Sequence, residues 1–179
     1  MTSEARWAEV VGDIERRLGR LDILVSGIGI GTPSIVDMTL ADWRRQTAIN
    51  LDGVFLSVKY GLPLMRKTGG GSVIMMSSLA GLRGAAGLAG YCATKGGVRL
   101  FAKAVAMECA SFGDGIRVNS VHPGIIDTPI WGKIPAGAGA NAPIDPEERA
   151  KLATPLGRAG QAMEIAQGVL YLAPTRRVM

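Results

Sequence analysis

Three short apolar segments constrain the fold of this 179-residue chain more than any other feature. They lie at residues 21–26, 72–77 and 116–121, and the first shows little alternation between apolar and polar residues. A short apolar run without alternation is typical of a parallel β-strand that is covered on both faces. Helical patterns separate the segments, so the sequence predicts an α/β protein in which helices pack on a parallel sheet.

Helical patterns fill the intervals between these segments. Residues 3–19 repeat apolar side chains at helical spacing and end at Gly19, a residue type that often terminates a helix. Thr39 followed by Asp42 resembles a capping box that opens a long helix, with Pro63 near its end or kinking it. Further helices are predicted over residues 92–107 and 161–172.

Tyr91 and Lys95 stand four positions apart at the start of one predicted helix, so both side chains lie on one helical face. A nearby cation favours the phenolate and lowers the pKa of a tyrosine, which makes proton exchange with a substrate oxygen feasible near neutral pH. Ser78 lies thirteen positions before Tyr91, in the loop after the second strand, and its hydroxyl can reach the same oxygen. These residues indicate acid/base chemistry on an alcohol or carbonyl. The alternative is a core tyrosine beside a solvated lysine.

The sequence around these residues resembles the short-chain dehydrogenase/reductase (SDR) family. Besides the spacing of Ser78, Tyr91 and Lys95, the resemblance rests on three motifs: D-I-L-V at 22–25, Q-T-A-I-N-L-D-G-V-F at 46–55 and I-R-V-N-S-V-H-P-G at 116–124. It extends from about residue 5 to Leu172. The resemblance implies a Rossmann-like, doubly wound parallel sheet.

By this resemblance four residues form a catalytic site. Tyr91 is the general acid/base, and Lys95 lowers its pKa and holds the nicotinamide ribose of the cofactor. Ser78 orients the substrate carbonyl. Asn50 supports a proton-relay water near the lysine, and a structural role for Asn50, as a polar residue that satisfies a helix kink, is compatible with this one.

The resemblance also implies NAD or NADP as the cofactor, without discriminating between them. Contacts to it are expected from Gly29, Asn50, Tyr91, Lys95, Pro123, Gly124, Ile126 and Thr128. The loop after the first strand normally reads N-N-A-G in the family but reads S-G-I-G at 26–29 here, so only the close backbone approach at Gly29 is kept. The glycines at 27–31 are not a dinucleotide fingerprint, because the next helix starts only near Thr39.

The family pattern is expected to be incomplete at both ends of this chain. A complete member opens with a strand, a glycine-rich turn that binds the pyrophosphate and a second strand, and it closes with a final strand. We interpret residues 1–179 as one truncated Rossmann-like domain that keeps strands 4, 5 and 6 of the order 3-2-1-4-5-6. For the tail P-T-R-R-V-M at 174–179 the hypothesis is a single-base deletion after Ala173.

Composition disfavours several other functions. The chain has 20 basic and 15 acidic residues, but the arginines are scattered rather than interleaved with aromatics, which disfavours nucleic-acid binding. The spacing of Cys92 and Cys109 suits neither a disulfide nor a zinc site, so we expect a reducing cytoplasm and no metal. No apolar segment reaches about 18 residues, so no membrane span is expected. His122, the single histidine, receives no role because no partner acids or cysteines are in view.

These observations favour an NAD(P)-dependent oxidoreductase that transfers hydride reversibly to or from a secondary alcohol or ketone. By the resemblance, residues 129–158 form a lid over the substrate, and helices at 39–66 and 91–112 pair in a homo-oligomer. A small apolar substrate is favoured by the loop before Tyr91, which carries Leu79, Leu82, Ala85, Ala86 and Leu88.

Two alternatives to this function stay open. One is a catalytically inactive fragment that acts, if at all, as a partner of a full-length relative. Cofactor binding by the isolated chain separates it from the enzyme. The other is a scaffold protein, which would not require Ser78, Asn50, Tyr91 and Lys95 to occur together.

Overall fold

The computed structural model describes residues 2–31, 34–133 and 145–174. Its α-helices are α1 (Glu4–Leu18), α2 (Leu40–Thr47), α3 (Gly53–Lys67), α4 (Ala89–Phe112), α5 (Pro146–Ala153) and α6 (Ala162–Leu172). Its strands are β1 (Ile23–Ser26), β2 (Gly71–Met76), β3 (Ile116–Val121), β4 (Ile126–Asp127) and β5 (Gly160–Gln161). A π-helical turn at Ala48–Asp52 joins α2 to α3, and 3-10 turns lie at Leu79–Gly81 and Trp131–Lys133.

The three predicted strands form one parallel sheet in the order β1-β2-β3. β1 pairs with β2 from Ile23 opposite Ser72, and β2 pairs with β3 from Gly71 opposite Ile116. Parallel neighbours need a crossover connection, which is helical in both cases: α2 and α3 between the first two strands, and α4 between the last two. The predicted α/β fold class and the contiguous strand order are confirmed.

The apolar core lies on the face of the sheet that α3 and α4 cover. Val73 and Met75 of β2 are fully buried there and belong to one cluster with Val54 of α3 and Val98 of α4. Leu24 of β1 packs against the same cluster. Burying a side chain of this size contributes roughly 1.5–3 kcal/mol. This layer therefore fixes where the two helices lie relative to the strand ends.

The opposite face of the sheet is covered at β2 but exposed at β1. At β2, Ser72 Oγ donates a 2.8 Å hydrogen bond to Leu172 O at the end of α6. At β1, Ile23 and Val25 are 43% and 50% exposed. The expectation that the first strand is covered on both faces is therefore wrong. The pleat directs these two side chains to the face opposite Leu24, and the described residues leave that face open.

Two predicted helix starts, those of α1 and α2, are confirmed by their caps. The Ser3 side chain accepts a hydrogen bond from Arg6 N at the start of α1. Thr39 and Asp42 form the reciprocal capping box at the start of α2. The long helix predicted from Thr39 is interrupted by the π-helical turn before α3, and Pro63 lies inside α3, close to its end.

Two segments named in the sequence analysis lie outside the described residues. They are residues 134–144 of the predicted lid and residues 175–179 of the tail that a base deletion would explain. Within the part of the chain that the structure describes, no helix is long and apolar enough to cross a membrane. In the same part, no group of histidine, cysteine, aspartate and glutamate side chains could hold a metal ion.

Gly69 and Gly70, in the turn before β2, allow a matched test of close packing at the sheet edge. Both have positive φ angles, 97° and 104°, which strain any residue with a side chain. A Cβ at Gly70 would lie 2.5 Å from Gly115 O, whereas one at Gly69 would meet no atom within 4 Å. We expect Gly69→Ala to lower the free energy of unfolding by about 1–2 kcal/mol. Gly70→Ala should lower it by about 1–3 kcal/mol more.

Urea denaturation of the wild type and both variants measures these two losses. Equal losses would contradict the prediction, because they would mean that the turn moves away from Gly115 at no cost.

Candidate active site

The residues selected from the sequence converge at the carboxyl-terminal edge of the parallel sheet. Gly29 follows β1, Ser78 follows β2 and Pro123 follows β3. Parallel strands end at the same edge, so the three loops are neighbours there. Tyr91 and Lys95 reach this edge from the first two turns of α4.

Tyr91 lies in the first turn of α4 and shares a hydrogen bond with the Ser78 side chain. Burial raises the pKa of the phenol above its ordinary value, and the bond with Ser78 opposes part of this rise. Ser78 Oγ also accepts a 3.1 Å hydrogen bond from Ala80 N, which fixes its position. Two hydroxyl groups are therefore held side by side, and the phenol keeps its proton at neutral pH.

Lys95 is almost completely buried, with 2% of its surface exposed. Its Nζ donates hydrogen bonds of 3.0 Å to Ile28 O and 2.9 Å to Met76 O. Burial lowers the pKa of the ammonium to about 8. Nζ lies 5.8 Å from the centroid of the Tyr91 ring. Burial is the largest influence on the pKa of Tyr91 and raises it, and the lowering of that pKa by Lys95 expected from the sequence stays a prediction.

Gly29 brings the backbone of the loop after β1 close to this pair, and its contact with the cofactor stays a prediction. A Cβ at Gly29 would lie 3.3 Å from Tyr91 Cε2 and 3.5 Å from Lys95 Nζ. Any side chain at this position would occupy the space directly beside both groups. The absence of a side chain at Gly29 therefore lets the backbone approach both groups closely.

Asn50 is fully buried in the π-helical turn. Its Oδ1 accepts a 2.9 Å hydrogen bond from Ile30 N, and its Nδ2 donates 3.1 Å bonds to Ile30 O and to Thr94 Oγ1. The amide thus ties the loop after β1 to α4. These bonds give Asn50 a structural role, although none of them goes to the backbone of the π-helical turn itself. Its role beside a relay water stays a prediction.

Gln46 belongs to the same arrangement, although the sequence analysis missed it. It is fully buried, and its Nε2 donates a 2.9 Å hydrogen bond to Ile30 O. A Cβ at Gly90 would overlap Gln46 Oε1, so the glutamine packs against the backbone just before Tyr91. The available signal was its place one helical turn before Asn50 in the same motif.

The loop after β3 carries the predicted nicotinamide contacts. Pro123 O accepts a 2.9 Å hydrogen bond from Leu79 N, which joins this loop to the one after β2. Ile126 O accepts a 2.6 Å bond from Trp131 Nε1. Ile126 belongs to β4, whose parallel pairing with β5 the sequence analysis did not predict. The Thr128 hydroxyl lies 3.5 Å from Ile126 O, so it is held only weakly.

His122, which received no role from the sequence, supports the Ser78 loop. Its Nδ1 lies 3.2 Å from Ser78 O, and its Nε2 lies 2.9 Å from Ser120 Oγ. A carbonyl oxygen only accepts, so Nδ1 is the donor to Ser78 O. No local sequence pattern predicts this contact, because His122 and Ser78 are 44 positions apart.

Most of the predicted site residues line one cavity of about 440 Å³. All of the predicted site residues except Asn50 line it, namely Gly29, Ser78, Tyr91, Lys95, Pro123, Gly124, Ile126 and Thr128. Much of the remaining wall is apolar and includes Leu79, Leu88 and Trp131. The volume and this mixture of an apolar wall with a few convergent polar groups are typical of a small-molecule site.

Comparison with known proteins gives consistent matches. The family model described as enoyl-(acyl carrier protein) reductase matches residues 1–177. The chain is 43% identical over 174 residues to cyclopentanol dehydrogenase of Comamonas testosteroni, covering 96% of this chain and 66% of the relative. It is 39% identical to trans-4-hydroxycyclohexanecarboxylate dehydrogenase of Sinomonas cyclohexanicum, covering 97% and 61%. The crystal structure of levodione reductase matches with a TM-score of 0.86 at 33% identity, over 96% of this chain and 66% of that chain.

The parallel sheet and the cavity at its carboxyl-terminal edge are those of a Rossmann-like α/β protein. With the family model and these relatives, they show that the chain belongs to the short-chain dehydrogenase/reductase family. The chain spans 66% and 61% of the lengths of the two curated relatives.

The pH dependence of the unfolding free energy tests whether burial lowers the pKa of Lys95. Its folded-state pKa of about 8 lies below the ordinary value of 10.5, so the folded protein releases this proton before the unfolded chain does. Between these two values the unfolded chain binds more protons, and stability therefore rises with pH. We expect the unfolding free energy of the wild type, measured relative to Lys95→Met, to increase by about 2 kcal/mol from about pH 7.5 to about pH 9.5.

Denaturant unfolding at several pH values measures this difference. Lys103→Met is the matched control, because Lys103 is exposed on the same helix, and its removal should leave the pH dependence as in the wild type. A difference between the wild type and Lys95→Met that stays constant with pH would contradict the prediction.

Proposed function

We propose that this protein is an NAD(P)-dependent oxidoreductase that transfers hydride reversibly between the cofactor and a secondary alcohol or ketone. The observation that carries the proposal is the joint placement of Ser78, Tyr91 and Lys95 on the wall of one cavity. A core tyrosine beside a solvated lysine would not account for it, because Lys95 is buried and the Tyr91 side chain bonds a second hydroxyl.

Tyr91 is the proposed general acid/base. Because burial raises the pKa of its phenol, the group is protonated at neutral pH and ready to donate to a ketone oxygen. In alcohol oxidation the same oxygen must take up the proton, which requires a lower pKa. The hydrogen bond with Ser78 acts in that direction, since it stabilises the phenolate.

Lys95 and Ser78 position the reacting groups in this proposal. An ammonium has three donors, and the carbonyls of Ile28 and Met76 take two of those of Lys95. The third donor would hold a ribose hydroxyl of the cofactor. The Ser78 hydroxyl would bind the substrate oxygen beside Tyr91, and Asn50 would act behind the cavity wall by holding the loop after β1 in place.

The residues present fit the nicotinamide end of an NAD(P) cofactor. Gly29 lines the cavity beside Tyr91 and Lys95, and a group placed against it would contact both side chains. The opposite loop would hold the carboxamide through the backbone of Ile126 and the hydroxyl of Thr128, and its Pro123 and Gly124 line the same cavity as further cofactor contacts. When bound, the cofactor supplies the hydride or accepts it.

A small alcohol with an apolar ring is the proposed substrate. Leu79, Leu88 and Trp131 give the cavity apolar walls, and a volume of about 440 Å³ accommodates such a ring. The names of the two curated relatives, cyclopentanol dehydrogenase and trans-4-hydroxycyclohexanecarboxylate dehydrogenase, also describe alcohols on rings.

A homo-oligomer is part of the proposal. Phe55 on α3 is 45% exposed, and Leu100 and Met107 on α4 are 69% and 76% exposed. Apolar side chains of this size on two neighbouring helices favour burial against a second copy.

Replacing Tyr91 by phenylalanine tests the assignment of the acid/base. Tyr91→Phe keeps the ring and removes only the hydroxyl, so kcat for cyclopentanol oxidation should fall by about 10²–10⁴ while the Kd for the cofactor changes little. Assays with NAD⁺ and NADP⁺ on the 179-residue chain, together with calorimetric cofactor titration, measure both quantities.

Tyr171→Phe is the matched control, because Tyr171 is 84% exposed on α6 and does not line the cavity. Its kcat should equal that of the wild type. Unchanged turnover in Tyr91→Phe would refute the assignment. A wild-type chain that neither binds cofactor nor turns over would contradict the proposed function and favour the inactive fragment.

A further inference from the structure

Two arginine side chains line the cavity in addition to the groups already assigned. Arg83 comes from the segment between β2 and α4, and Arg149 comes from α5. Both residues are exposed, so they lie at the mouth of the cavity, whereas Lys95 lies at its buried end. No aspartate or glutamate is among the described residues that line the cavity. The wall of the cavity itself therefore carries positive charge at its mouth, and the described carboxylates nearest to Arg149, those of Asp145 and Glu148, line an adjoining pocket instead.

Within residues 2–31, 34–133 and 145–174, neither guanidinium forms a hydrogen bond or an ion pair. The carboxylates near Arg149 are engaged elsewhere: Asp145 caps α5, and Glu148 pairs with Lys151 at 2.6 Å. The remaining segments of the chain contain no aspartate or glutamate either, at 32–33, 134–144 and 175–179. The two cations are thus available to a ligand.

Two unpaired guanidiniums at the mouth of a mostly apolar cavity favour a ligand with an anionic group. The planar fork of donors on an arginine matches a carboxylate, and charge-assisted hydrogen bonds are stronger than neutral ones. The cavity is also lined by Leu88, Ile130 and Trp131, which favour an apolar body. A ligand complementary to the cavity therefore has an apolar ring or chain, a hydroxyl or carbonyl group beside Tyr91, and a negatively charged group at the mouth.

We infer that Arg83 and Arg149 bind a carboxylate of the substrate, so that among small ring alcohols and ketones those that carry a carboxylate are bound more tightly. The inference rests on the proposed function for the chemistry at Tyr91. Phosphates of the cofactor carry the same sign of charge. The arginines, however, belong to the segment after β2 and to α5, whereas the proposed loop contacts to the cofactor follow β1 and β3.

The test compares cyclohexanecarboxylate with its neutral isostere cyclohexanecarboxamide as ligands of the 179-residue chain in the absence of cofactor. Backbone amide NMR shifts during titration give both Kd values. We expect the carboxylate to bind about tenfold more tightly at low salt, with a smaller preference at high salt. The double variant Arg83→Met with Arg149→Met should lose the preference. Lysine at both positions should keep part of it, because the charge remains.

Arg44→Met is the matched control. Arg44 is exposed on α2 and does not line the cavity, so this variant should keep the wild-type preference. Equal Kd values for the two ligands in the wild type would overturn the inference. A preference that persists in the double methionine variant would overturn it as well.

Cofactor titration separates the two sources of negative charge. If the double methionine variant binds NADH about tenfold more weakly yet keeps its preference for the carboxylate, the arginines serve the cofactor phosphates and the inference fails. The ligand titration needs neither cofactor nor turnover. A chain that binds the carboxylate through these arginines but has no oxidoreductase activity would therefore support the carboxylate site and contradict the proposed function.

Discussion

The rest of the site depends on the buried ammonium of Lys95. Its Nζ bonds Ile28 O after β1 and Met76 O at the end of β2, so one side chain of α4 joins two strand ends. Each of these carbonyls, if buried without a donor, would cost about 1–3 kcal/mol. The carbonyls in turn replace part of the water that the ammonium has lost. The remaining cost of desolvation appears in its pKa, which falls to about 8.

A second set of contacts holds that lysine in position. Ser77 Oγ donates a 2.8 Å hydrogen bond to Lys95 O, and a Cβ at Gly81 would lie 2.6 Å from the same carbonyl oxygen. On the other side, Asn50 and Gln46 both donate to Ile30 O. The loop after β1 and the start of α4 are therefore fixed by buried polar contacts, which set how closely Gly29 approaches Tyr91.

The sequence alone was sufficient for features that depend on neighbouring residues. Alternation of apolar segments with helical patterns predicted the parallel α/β arrangement, and the capping box at Thr39 predicted the start of α2. The spacing of Tyr91 and Lys95 places both on one helical face, because helix geometry is periodic. Ser78 could be added from its place after a strand, since strand ends meet at one edge of a parallel sheet.

What the sequence by itself determined was therefore the order of elements and the set of side chains brought to one edge, because local periodicity and strand direction decide both. Only the tertiary structure decided their electrostatics: burial raises the pKa of Tyr91, and Lys95 bonds a carbonyl 67 positions away. It also decided that His122 supports Ser78 and that Arg83 and Arg149 line one cavity. Desolvation and long-range contacts depend on packing between distant segments, which no local pattern encodes.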